Sequence, residues 1–186
     1  MSISIDKAFT IFYILAIFVG IFIGATHIKY YSEVSKFNPF DSEFVVADMQ
    51  QFLSIMRNNM RVGALEFLSS GIIGIWAMFN TFATAASALA DSGISIFLIA
   101  TLLITPHTYP ELIGGLLFCL AGMRVVMALS FGNKYMEKNF NAHIRKKYIY
   151  DAATYLIVAV LLTIFAAFLE VYISLPFLQF LFEFLR

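Results

Sequence analysis

From Ala8 to Ala25 no side chain carries a charge, and runs of similar character recur along the chain. A helix needs about 20 consecutive apolar residues to cross the hydrocarbon core of a bilayer. In lipid every backbone polar group must find its partner inside the protein, which leaves helices and closed barrels as the spanning structures. These runs therefore predict a helical bundle. Composition agrees: 61% of the 186 residues are hydrophobic and 13% charged, against roughly 45–50% and about 25% in soluble domains. The formal net charge of +0 leaves no basic footprint for nucleic acid. The single cysteine, Cys119, lies in an apolar run and reads as a small packing residue.

The expected fold is an all-α integral membrane protein, a single polytopic domain over residues 1–186 of about five transmembrane helices. The spans are placed at 8–25, 62–79, 80–105, 111–131 and 152–174. The third is interrupted at Ala90-Asp91-Ser92-Gly93, so it either crosses or re-enters as two half-helices. The first reads as an anchor, because Gly24-Ala25-Thr26 makes an indifferent signal-cleavage site. Two interfacial helices complete the set. Val45, Met49, Phe52, Leu53, Met56 and Met60 recur at helical spacing within 40–60, with Asn38-Pro39 and Asp41 as an opening signal. In 176–186 the polar residues Gln179, Glu183 and Arg186 share one stripe.

Lys134, Lys138, Arg145, Lys146 and Lys147 outnumber Glu137 and Asp151 in the connection 132–151, which is therefore expected to be cytoplasmic. Gly20 and Gly24 form a GxxxG pair. Together with Gly71, Gly74, Gly114, Gly115 and Gly122 they mark positions where helices approach closely.

The least ordinary chemistry falls in Ile104–Gly115. Thr108, Pro110 and Glu111 form a capping-box pattern, so a helix is expected to start at Thr108 with His107 just outside it. Capping is the plainest reading of His107 and Glu111. The sharper reading is a polar centre of Glu66, Asn80, His107, Glu111 and Glu170, because ionisable groups in apolar runs usually face the bundle interior. Arg124 is a candidate partner for Glu66 or Glu170. Asn59 and Arg61 are read as capping or anchoring the second span. His107 and Glu111 have the i, i+4 spacing of metal ligands, but two ligands are too few and no HExxH or CxxC completes a set. No metal, cofactor or catalytic residue is expected.

Four stretches carry a resemblance. They are Asn58-Asn59-Met60-Arg61, Phe79-Asn80, Thr105-Pro106-His107-Thr108-Tyr109-Pro110-Glu111 and Ala166-Ala167-Phe168-Leu169-Glu170. With this arrangement the chain resembles the stage II sporulation protein M family of bacterial and archaeal membrane proteins. Thr108 and Thr81 stand where that family usually has glycine. The resemblance implies a multispanning protein, one sporulation member of which looks like a membrane scaffold that localises peptidoglycan hydrolases. With no nucleophile–base or metal set in the sequence and with interfacial helices to fix its position, the expected role is a non-enzymatic oligomeric scaffold or subunit of an envelope complex. The lipid bilayer and either further copies of the chain or other membrane proteins are the expected partners. A small channel or transporter with a polar centre around His107 and Glu111 is the alternative.

Overall fold

The structure is a computed structural model that describes residues 5–26, 48–91, 106–130 and 138–177. Those residues form five helices: α1 (Ile5–Thr26), α2 (Met49–Leu68), α3 (Ile72–Asp91), α4 (Thr108–Ser130) and α5 (Lys138–Leu169). A π-helical turn, Glu170–Ser174, follows α5 directly. By length and composition, Asp6–Gly24, Thr108–Ser130 and Ala142–Phe177 are each able to cross a membrane, and Ile72–Thr84 is a shorter apolar stretch. The protein is thus an all-helical membrane protein.

Packing fixes the helix directions. The backbones of Gly20 and Gly24 in α1 meet those of Phe79 and Ala83 in α3, so these two helices run parallel. A Cβ at Gly24 would stand 2.8 Å from Ala83 Cα and closer to its carbonyl, a distance only a missing side chain permits. The opposite face of α1 presents Phe12, Phe18 and Phe22, all exposed, as a lipid-facing surface requires. Asp6 pairs with Arg124, and Tyr13 lies against Gly115, so α1 and α4 are antiparallel. Gly63 meets Phe118 and Phe67 meets Gly122, which sets α2 parallel to α4. Ala159, fully buried, meets Gly114 where α5 returns along α4. Tyr13, Met78, Phe82 and Cys119 form the central apolar cluster.

Several boundaries differ from those read in the sequence. Residues 62–79, expected as one span, are split by a turn at Ser69–Gly71. Gly71 N–H donates to Glu66 C=O and Ser70 N–H to Phe67 C=O, both at 3.1 Å, the paired bonds of a Schellman ending. Ser70 (φ 53°) and Gly71 (φ 90°) are both left-handed there. Ser69 then opens α3, its Oγ accepting from Ile73 N–H at 3.3 Å. Helix α3 consequently runs through the Phe79–Asn80 boundary and ends at Asp91, next to the expected interruption. Residues 92–105, and with them the choice between crossing and re-entry, lie outside the described residues.

The amphipathic helix expected over 40–60 is the first part of α2 rather than a separate element. Its N-cap is Asp48, whose carboxylate accepts from Gln51 N–H at 2.6 Å. Asn59 and Arg61 therefore sit mid-helix and do not start one. The basic connection is also shorter than expected, because α5 already begins at Lys138 and carries Arg145, Lys146 and Lys147 on its first turns. The Asn38-Pro39-Asp41 signal and residues 178–186 of the proposed tail helix fall outside the described residues.

Candidate functional site

Glu66 sits in the last turn of α2 and is 1% exposed. Two glycines make room for it. A Cβ at Gly115 of α4 would stand 3.1 Å from Glu66 Oε2, and one at Gly74 of α3 would stand 3.3 Å from Glu66 Cγ. The hydroxyl of Tyr13 reaches the same place from α1, 2.6 Å from that notional Gly115 Cβ. Neither Tyr13 Oη nor Glu66 Oε1 has a hydrogen-bond partner among the described residues, and both are buried. A buried polar atom left unpaired costs about 1–3 kcal/mol.

A cavity of about 140 Å³ adjoins it, with Asn58, Asn59, Glu66, Thr81, Glu111 and Thr163 as its polar lining. That volume has room for several waters. Asn59 contributes a third buried polar atom without a partner among the described residues, Nδ2. The residue expected at a helix start thus belongs to the cavity wall, whereas Arg61 is exposed.

Glu111 joins this cavity to a second group. α4 begins at Thr108, which is 8% exposed, and its first turn closes with Glu111 N–H donating to His107 C=O at 3.2 Å. One carboxylate oxygen of Glu111, one imidazole nitrogen of His107 and one carboxylate oxygen of Glu170 lie within 4.8 Å of one another. All three residues are half-buried. Burial lowers the pKa of His107, outside the span, below the ordinary histidine value.

Glu170 reaches this group because it opens the π-turn. π-turns inside α-helices occur frequently at functional sites. On the same turn Ser174 is fully buried, with Oγ unpartnered.

Four of the five residues expected in a polar centre therefore form one arrangement: Glu66 with Glu111 around the cavity, and Glu111 with His107 and Glu170 beside it. Asn80 stands apart, its Nδ2 donating to Trp76 C=O at 2.8 Å. Arg124 pairs with neither Glu66 nor Glu170. It bonds Asp6 and covers the Tyr148 ring at 5.2 Å, because the antiparallel course of α1 brings Asp6 to its level. The sequence reading missed Tyr13, Thr163 and Thr81. Their one signal was a hydroxyl inside an apolar run, which also fits a lipid-facing or back-bonded side chain; Thr163 Oγ1 does donate to Ala159 C=O at 2.9 Å.

No curated protein and no solved structure matches the chain. The model of one protein family, Stage II sporulation protein M, matches residues 9–175, a stretch that contains Tyr13, Glu66, His107, Glu111 and Glu170. The protein belongs to the Stage II sporulation protein M family.

Proposed function

We propose that the chain is a small, non-enzymatic transport protein of the cell membrane that handles a cation or protons at Glu66 and Glu111. The observation that carries this reading is the fully buried Glu66 carboxylate beside a polar cavity it shares with Glu111. Ionisable groups are costly within a bilayer, about 2.5–3.5 kcal/mol on the most lenient scale, and are kept where they serve ion or proton pathways. Two carboxylates that share one site favour a cation or a shared proton between them, because like charges close together disfavour full ionisation. A carrier would use exchange between those two occupants.

The helix directions support five crossings, with the basic residues Arg145–Lys147 near the α4–α5 junction on the cytoplasmic side. Purified protein in sealed liposomes tests the function. Cation or proton flux abolished by Glu66→Gln and Glu111→Gln supports it. Absence of flux under proton, sodium, potassium and zinc gradients refutes it.

A second reading, a scaffold or subunit of an envelope complex, draws on the family and on an apolar groove of about 330 Å³. Phe67, Leu129, Ile149 and Leu156 line that groove, with Arg145 among its walls. It would take a partner helix or a second copy of the chain. Crosslinking that recovers monomer alone counts against this reading.

A further inference from the structure

We propose that His107, Glu111 and Glu170 bind a divalent first-row transition-metal ion, of which zinc is the representative. Three donor atoms, one imidazole nitrogen and two carboxylate oxygens, already lie within 4.8 Å of one another. In a four-coordinate zinc site with bonds of about 2.0–2.2 Å, donors stand roughly 3.3–3.6 Å apart. Binding would draw the three donors together from that spread.

The backbone favours the set. His107 and Glu111 are one helical turn apart, the spacing that puts two ligands on one side of one ion. Glu170 comes from a different helix, and the π-turn it opens sets its direction. The imidazole argues for a transition metal over magnesium or calcium, which prefer all-oxygen shells. Three protein ligands leave a coordination position open, the pattern of sites that exchange their ligands rather than of closed structural sites.

Glu111 also lines the neighbouring cavity with Glu66, a residue 1% exposed whose Oε1 has no hydrogen-bond partner among the described residues. Glu111 thus belongs to both groups. The metal assignment stands on this geometry; that the metal is also the transported species rests on the transport reading above.

The test uses the full chain purified in detergent, stripped with EDTA, incubated with Zn²⁺, desalted, and assayed for retained metal by mass spectrometry. The wild type is expected to keep about one zinc per chain. Monodisperse, helical His107→Gln and Glu170→Gln variants should keep less than a tenth of that, and an exposed-site control, Arg61→Ala, should keep all of it. Co²⁺ bound to the wild type should show ligand-field bands in the visible without thiolate charge transfer, since Cys119 is not a ligand. No retained zinc in the folded wild type overturns the proposal, as does retention that His107→Gln and Glu170→Gln leave unchanged. The two readings separate cleanly. Zinc retention without flux upholds the metal site and removes transport, whereas proton flux without zinc retention upholds transport and removes the metal site.

Discussion

Replacing Gly24 by alanine isolates the contact that holds α1 against α3. The added Cβ stands 2.8 Å from Ala83 Cα, whereas carbon atoms in contact prefer about 3.5–4.0 Å. Because the obstacle is backbone, no rotamer relieves it, and the two helices must part by about 1 Å. A gap of that size forfeits about a quarter to a half of the well depth of each contact it opens. Small-to-large changes in packed interiors cost about 1–3 kcal/mol, and alanine returns about 0.8–1.0 kcal/mol of helix propensity over glycine. With backbone in the way the upper part of the first range applies, so the net loss is about 1–2 kcal/mol. Gly114→Ala is the internal control. Its Cβ meets Thr163 Oγ1 at 3.3 Å and Ala159 O at 3.4 Å, which small shifts accommodate. There propensity dominates, and the variant should match the wild type or gain up to about 1 kcal/mol. Equilibrium unfolding in mixed detergent micelles, followed by circular dichroism, reads both. A Gly24→Ala protein as stable as Gly114→Ala would refute the close backbone approach of α1 and α3.

Ser70 occupies the left-handed position of the turn between α2 and α3 at φ 53°. Ser70→Gly should therefore raise the unfolding midpoint by an amount equivalent to about 0.5–1 kcal/mol. Breaking the partly buried pair with Arg124→Gln should cost about 1–2 kcal/mol in the same assay. The double variant Asp6→Asn/Arg124→Gln should lose less than the sum of the two single changes. In a Cys119→Ala background, a cysteine placed at Ser130 should react with an impermeant maleimide only from the cytoplasmic side, and one at Thr26 only from outside; the reverse pattern would invert the proposed orientation.

How far the fold was legible varies from residue to residue. Gly20 and Gly24 announced a close helix contact because a pair of glycines four apart leaves a flat stripe, and α3 fills it. Gly71 reads through the same rule as a packing position within one span. Its other property, tolerance of left-handed backbone, proved decisive, and composition alone does not separate the two uses. The Asp48 cap was hidden because Asn38-Pro39-Asp41 offered a stronger-looking start upstream. In the site, His107 and Glu111 were visible as a local i, i+4 pair. Glu170 was legible as a charge in an apolar run, but its meeting with His107 and Glu111 depends on the return of α5 along α4, which leaves no mark in local sequence. Asp6 was likewise invisible as the partner of Arg124, since it takes the antiparallel packing of α1 to bring them level.

The enclosure of Glu66 among Tyr13, Gly74 and Gly115 is the feature on which the polar centre depends. Its direct test is the reactivity of a Glu66→Cys, Cys119→Ala protein in sealed vesicles toward a membrane-impermeant maleimide added on either side. The thiol should stay unmodified while the protein is folded and label completely once it is denatured in SDS. Rapid labelling of the folded protein would place residue 66 in open water and contradict the account.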